Sequence, residues 1–125
     1  MVQEYTVQGF ENFMSKVSEL EKQGKEVYCL FSGTKDANGK SWCPDCVTAE
    51  PVVRGCLKNM PEAAVFLYCQ VGERDYWKNK SNEFRVHPKL KLTRVPTLMR
   101  WGAPNEKLVE ENLFKPDMIN MMFED

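Results

Sequence analysis

Two cysteines separated by two residues form the part of this sequence that is best suited to chemistry. Cys43 and Cys46 lie in the pentapeptide Trp-Cys-Pro-Asp-Cys, residues 42–46. A thiol exchanges with a disulfide only as the thiolate, and a second thiol one helical turn later can attack the mixed disulfide and release the substrate. The spacing therefore predicts dithiol–disulfide exchange, with Cys43 as the exposed attacking thiol and Cys46 as the resolving thiol.

The neighbours of the pair indicate how its reactivity is set. Pro44 suits the first turn of a helix, and a helix N-terminus would hold the pKa of Cys43 below that of a free thiol. Trp42 is predicted to offer a flat apolar wall to the substrate. Asp45 has two interpretations, capping of the helix or tuning of the thiolate pKa. Glu50, one turn further, is expected on the solvated surface, with redox tuning as the lesser alternative.

The same cysteine spacing also occurs in zinc sites, which gives a competing hypothesis. A structural zinc needs four ligands, usually as two close pairs. Cys29, Cys56 and Cys69 are isolated from one another, and the sole histidine, His87, lies in a polar stretch. We therefore predict no metal site, and we expect these three cysteines to pack as small hydrophobic residues inside apolar segments.

Length, composition and charge restrict the remaining classes of function. The chain has 125 residues, 42% of them hydrophobic, which suits a single domain over residues 1–125. A net charge of −1 disfavours nucleic acid and anionic membranes as partners. The start of the chain does not match a secretory signal, so we expect a cytoplasmic protein. The stretch 33–41 resembles a phosphate-binding loop with one residue too many, and it is predicted to be a flexible polar loop.

The elements that must position the cysteines follow from the periodicity of apolar residues. Helices are predicted over 9–23, from near 43 with a bend at Pro51, around 76–84, and from Pro116 onward. Strands are predicted over 5–7, 27–31, 64–69, 97–101 and 107–109, the last two as an antiparallel hairpin. Strands that alternate with helices and end in a hairpin indicate an α/β sheet with one antiparallel edge.

A second motif, Val95-Pro96-Thr97, opens the strand that follows the longest polar connection. Together with the order strand, Trp-Cys-Pro-Asp-Cys, helix, it resembles the thioredoxin superfamily, in which a loop carrying a cis proline faces the redox pair. This resemblance implies the thioredoxin fold, a mixed central sheet with helices on both faces. It also implies a cis bond before Pro96, and substrate binding by Trp42, Val95 and Pro96.

Three details resemble one branch of that superfamily, the small thioredoxin-related proteins. They are the Trp-Cys-Pro-Asp-Cys pentapeptide, the polar insert at 35–41 and the segment 71–78. The resemblance covers nearly the whole chain and implies a monomeric disulfide reductase with no bound cofactor. Its electrons would come from NADPH through thioredoxin reductase, and its substrates would be small disulfides and a narrower set of proteins than thioredoxin reduces. No acidic residue in 29–33 matches the buried aspartate of thioredoxin, so proton handling is expected to differ.

A binding function is the alternative to catalysis. In that hypothesis the fold is an adaptor, and the Cys43–Cys46 pair is a redox switch that controls attachment to a partner protein. An intact pair combined with the Val95-Pro96 motif favours catalysis. The function of a Cys43→Ser variant in cells distinguishes the two, because a pure adaptor would tolerate the loss of the nucleophile.

Overall fold

The computed structural model describes residues 2–124, in which strands and helices alternate. The strands are β1 (Gln3–Gln8), β2 (Val27–Ser32), β3 (Val65–Gln70), β4 (Thr97–Arg100) and β5 (Lys107–Val109). The helices are α1 (Phe10–Lys22), α2 (Pro44–Cys56), α3 (Arg74–Lys78), α4 (Glu83–Val86) and α5 (Pro116–Glu124), with 3₁₀ segments at Leu57–Asn59 and Glu110–Phe114. Within the described residues, no helix is both long and apolar enough to cross a membrane.

The five strands form one mixed sheet in the order β1-β3-β2-β4-β5. β1, β3 and β2 run parallel, β4 is antiparallel to β2, and β5 is antiparallel to β4. The predicted α/β sheet with an antiparallel hairpin at its edge is therefore confirmed. β2 occupies the centre of the sheet and all six of its residues are buried, as expected of a continuous apolar strand.

Helices cover both faces of the sheet because neighbouring strand residues point in opposite directions. Cys29 and Phe31 of β2 belong to a core that includes the apolar side of α1. Tyr28 and Leu30, the alternate residues, belong to a second core that includes apolar residues of α2 and α5. The helices are held mainly by burial of these apolar sides, since short isolated helices are marginal in water.

One predicted helix is wrong in its extent. The segment predicted as a helix around 76–84 consists of two short helices, α3 and α4, separated by residues 79–82. The side-chain amide of Asn82 donates hydrogen bonds to the carbonyls of Trp77 (3.0 Å) and Asn79 (2.9 Å), and its oxygen accepts one from the N–H of Arg85 (3.2 Å). Asparagine thus competes with the helical hydrogen bonds of α3 and caps the start of α4.

The helix that carries the cysteines begins as predicted, directly after Cys43. α2 starts at Pro44, whose missing N–H costs nothing in the first turn. It continues through Pro51, which cannot donate to the carbonyl four residues earlier. The chain reaches α2 from the carboxyl end of β2 through the segment 33–43, so the centre of the sheet positions the cysteine pair.

Candidate active site at the start of the second helix

Cys43 and Cys46 face each other across the first turn of α2. Their Cα atoms are 5.2 Å apart, and their sulfurs lie at disulfide-bonding distance. Cys43 is the N-cap residue, and its sulfur accepts a hydrogen bond from the N–H of Cys46 (3.2 Å). Because this N–H points at the sulfur, it would stabilise a thiolate on Cys43 once the disulfide is reduced.

The structure corrects the expectation that Cys43 is exposed. Cys43 is only 5% exposed and Cys46 only 2%. The Cys43 sulfur lies 3.6 Å from the carbonyl oxygen of Val95, and Cys46 occupies another side of it. The sulfur of Cys46 accepts a hydrogen bond from the N–H of Gly33 (3.5 Å), the residue that follows β2. A small part of Cys43 is therefore accessible to solvent, while Cys46 is almost inaccessible.

The loop that faces the pair carries the predicted proline. The Val95–Pro96 peptide bond is cis, as the resemblance implied. Val95 is buried, and its carbonyl comes within 3.6 Å of the Cys43 sulfur although the two residues are 52 positions apart. Thr97 follows as the first residue of β4, so the sheet holds this loop against α2. Substrate binding by Val95 and Pro96 stays a prediction.

Trp42 is fixed against the end of the central strand. Its indole N–H donates to the carbonyl of Gly72 (2.9 Å). Its ring lies against Gly33, where an added Cβ atom would come within 2.6 Å of the indole, so only glycine permits this approach. The hydroxyl of Ser41 donates to the carbonyl of Gly33 (2.8 Å) and accepts from the N–H of Cys43 (3.1 Å). Contact of Trp42 with substrate stays a prediction.

The polar insert before Trp42 forms a closed turn, which corrects its description as a flexible loop. Lys35 and Ser41 pair across an antiparallel bridge. The carboxylate of Asp36 accepts two backbone hydrogen bonds within the turn (2.8 and 3.0 Å), which lower the pKa of Asp36. Thr34 and Gly72 exchange two hydrogen bonds (3.1 and 2.9 Å). The insert is thereby joined to the segment after β3, beside Trp42.

Asp45 does not act as a side-chain cap. It lies in the first turn of α2 and is half-buried. The sulfur of Cys43 occupies the capping position instead, and no N–H of residues 2–124 donates to the Asp45 carboxylate. The structure therefore does not support capping by the Asp45 side chain. Tuning of the thiolate pKa by the Asp45 charge stays a prediction.

Glu50 is half-buried in a network of charges, so the expectation of a solvated surface residue is wrong. Its side chain is 17% exposed and pairs with Lys35 (2.9 Å) and Arg54 (2.8 Å). The hydroxyl of Tyr68 donates to the same carboxylate (3.3 Å). Burial by itself would raise the pKa of Glu50, but the hydrogen bonds and charges of Lys35 and Arg54 outweigh it and lower that pKa.

We predict that Glu50→Gln lowers the free energy of unfolding by about 1 to 3 kcal/mol at neutral pH, because three partners lose a charged acceptor. A lowered pKa in the folded state means that the carboxylate stabilises the protein above the ordinary glutamate pKa of 4.5. The loss should therefore shrink as the pH falls below that value. Urea denaturation of both proteins at about pH 7 and about pH 4 measures the difference.

Glu19→Gln is the matched control for this substitution. Glu19 pairs with Lys16 at 2.9 Å, but its side chain is 55% exposed. An exposed pair contributes less than about 1 kcal/mol, so its loss should be smaller. Equal destabilisation by the two substitutions would contradict the importance of the Glu50 network.

The three other cysteines are buried and free, which confirms their predicted packing role. Cys29 and Cys69 are fully buried in the core beneath α1, and Cys56 is 4% exposed at the end of α2. Burial raises the pKa of each of these thiols. They therefore remain protonated at neutral pH and are poor nucleophiles. Within residues 2–124, no group of three potential ligands is placed to hold a metal ion.

Comparison with known proteins agrees with this geometry. Residues 6–125 match the family described as thioredoxin domain-containing protein 17-like, thioredoxin domain. Thioredoxin domain-containing protein 17 of Epinephelus coioides is 56% identical over 121 residues, and that of Homo sapiens is 50% identical over 121 residues. Each alignment covers 97% of this chain and 94% of the relative.

The fold comparison reaches a more distant protein. The crystal structure of a reduced Schistosoma mansoni thioredoxin pre-protein superposes with a TM-score of 0.59 at 15% identity, covering 98% of this chain and 96% of that one. Together with the strand order, this likeness shows the thioredoxin fold.

Proposed function

The chain belongs to the thioredoxin domain-containing protein 17-like family, and on that premise we propose that it is a disulfide reductase that uses a Cys43–Cys46 dithiol–disulfide cycle. The observation that carries the proposal is the placement of this pair. Both sulfurs lie at the N-terminus of α2, and the carbonyl of Val95 faces the first of them at 3.6 Å. A helix N-terminus stabilises the thiolate that thiol exchange requires.

The proposed cycle transfers two electrons in two steps. The Cys43 thiolate attacks one sulfur of the substrate disulfide, and the other substrate sulfur leaves and takes up a proton. The Cys46 thiol then loses its proton and attacks the Cys43 sulfur, which releases the second substrate thiol. The substrate is reduced to two thiols, and the protein is left with the Cys43–Cys46 disulfide.

Reduction of that disulfide completes the cycle. We propose that thioredoxin reductase supplies the two electrons from NADPH and that the protein itself binds no cofactor. Both cysteines come from one chain, which allows the protein to act as a monomer. The reducing cytosol, in which thiols are kept reduced, is the compartment that suits such a cycle.

The polar insert, the segment after β3 and Trp42 form a rim near the pair, and this rim supports a substrate range narrower than that of thioredoxin. The polar insert and the segment after β3 meet through Thr34 and Gly72, and Trp42 is hydrogen-bonded to the same Gly72. With Cys43 only 5% exposed within this rim, a substrate must present its disulfide to a small opening. Small disulfides and extended protein segments satisfy that requirement better than disulfides buried in folded proteins.

An assay of NADPH consumption tests the proposal. The protein is mixed with thioredoxin reductase and NADPH, and a panel of small disulfides and of protein disulfides such as insulin is added. We expect consumption with small disulfides and slower consumption with insulin than thioredoxin supports. If the reduced protein exchanged with none of these disulfides, the reductase function would be wrong.

The charge of Asp45 is predicted to make the pair more reducing. Asp45→Asn removes a negative charge from the helical turn that contains Cys43, which should stabilise the thiolate and lower the pKa of Cys43. Thiolate exists only in the reduced form, so the reduction potential should rise by up to about 30 mV for each pKa unit. Glutathione redox buffers measure the potential, and the pH dependence of alkylation measures the pKa.

Asp117→Asn is a matched control because Asp117 follows Pro116 in the first turn of α5, as Asp45 follows Pro44 in α2. The control removes the same charge from the same helical position without touching the cysteine pair, so the potential should not change. If the pKa of Cys43 failed to fall in Asp45→Asn, the tuning hypothesis would have to be abandoned.

A further inference from the structure

Arg74 places a positive charge against Trp42, the residue that precedes Cys43. It is the first residue of α3 and is exposed. Its guanidinium carbon lies 5.4 Å from the centre of the Trp42 ring, and one of its nitrogens donates to the carbonyl of Trp42 (3.2 Å). That carbonyl belongs to the peptide bond that leads into Cys43. The cation therefore lies next to the backbone of the attacking residue, although 31 positions separate the two in the sequence.

The guanidinium is held in place without being neutralised. Trp42 cannot move freely, because its indole N–H is bonded to Gly72 and its ring lies against Gly33. Arginine has five N–H donors, and Arg74 uses one of them for the Trp42 carbonyl. Among residues 2–124, no carboxylate lies within ion-pair distance of Arg74. By contrast, Arg94, which precedes Val95, is paired with Glu110 at 2.7 Å.

We propose that Arg74 is a specificity-determining residue that binds a carboxylate of the substrate while Cys43 attacks its disulfide, an inference that rests on the proposed reductase function. A fixed guanidinium with unused donors is suited to a carboxylate, because two parallel N–H groups can bond its two oxygens. Disulfides of small thiol acids carry carboxylates a few bonds from sulfur, within reach of a cation beside Cys43. The protein should therefore react faster with anionic disulfides than with neutral ones, and slowest with cationic ones.

Three disulfides of different charge test this inference. Reduced protein, without thioredoxin reductase, is mixed with dithiodipropionate (anionic), hydroxyethyl disulfide (neutral) or cystamine (cationic). The second-order rate of Cys43–Cys46 oxidation is measured for each. Arg74→Ala should lower the ratio of the anionic rate to the neutral rate about tenfold, the size expected for one charge-assisted contact. Arg74→Lys, which keeps the charge but loses the planar fork, should restore part of that ratio.

Lys78→Ala is the matched control, because Lys78 is an exposed cation at the other end of α3. It removes the same net charge, so an unchanged ratio in this variant excludes long-range attraction as the cause. An equal fall of all three rates in Arg74→Ala would overturn the inference, since Arg74 would then act on the Cys43 thiolate and not on the substrate. An unchanged ratio would overturn it as well. Failure of the unsubstituted protein to reduce any of the three disulfides would overturn the reductase function and, with it, this inference.

Discussion

Replacing Cys43 with serine is expected to lower disulfide reduction by at least about 10³-fold, to the rate of the reaction without protein. A serine hydroxyl ionises far less readily than a thiol, so no nucleophile remains at the N-terminus of α2. Cys46 is not expected to replace it, because Cys46 is 2% exposed and its sulfur accepts a hydrogen bond from the N–H of Gly33. The assay is NADPH consumption with thioredoxin reductase and a small disulfide.

Cys56→Ser provides the control for this loss. Cys56 is the last residue of α2 and is buried like Cys43, but its sulfur is not part of the pair. It should keep the activity, and circular dichroism should show that both variants remain folded. Substantial turnover by Cys43→Ser would refute the assignment of the nucleophile. Retention of cellular function by an inactive Cys43→Ser protein would instead favour the adaptor hypothesis.

Replacing Cys46 with serine is expected to stall the reaction after its first step. The Cys43 thiolate can still attack a disulfide, but the internal thiol that would release the product is gone. Multiple-turnover activity should therefore fall at least about 10²-fold, while a single burst of substrate thiol remains. Mass spectrometry should detect one covalently bound half of the substrate disulfide on each protein molecule.

The double variant Cys43→Ser/Cys46→Ser shows whether the adduct is specific. It retains the buried Cys29, Cys56 and Cys69, so any adduct that it forms must come from these residues. None is expected, because burial raises the pKa of all three thiols. A Cys46→Ser protein that carried no adduct after exposure to excess small disulfide would rule out the two-step cycle.

Burial of the pair and the charges around it are two separate features that would set the reactivity of Cys43. The sulfur of Cys43 is enclosed by Cys46 and by the loop at Val95, so a substrate would have to reach it through a small opening. Asp45 contributes a negative charge from α2, and Arg74 contributes a positive one from α3. The Asp45→Asn and Arg74→Ala variants separate these effects, since the first should change the potential and the second the preference among substrates.

Features that depend on neighbours in the chain were predictable from the sequence. The Cys-Pro-Asp-Cys spacing, Pro44 in the first turn and the apolar runs of β2 and β3 each express a local preference of the backbone. Local periodicity therefore specified the order of elements, the central strand and the position of the pair at a helix N-terminus. The cis bond at Pro96 was expected from the family resemblance, because the residues around a proline do not determine its isomer.

Contacts between distant segments were decided by the tertiary structure. Glu50 looked like a surface residue of α2, yet folding brings Lys35 of the polar insert and Tyr68 of β3 to its carboxylate. Cys43 looked exposed until Val95, 52 residues away, was brought to its sulfur. The placement of Arg74 over the Trp42 ring has no signal in the sequence at all. In each case the partner lies on another element or a distant turn, and only the packing of the sheet, its helices and the inserted segments determines which side chains meet.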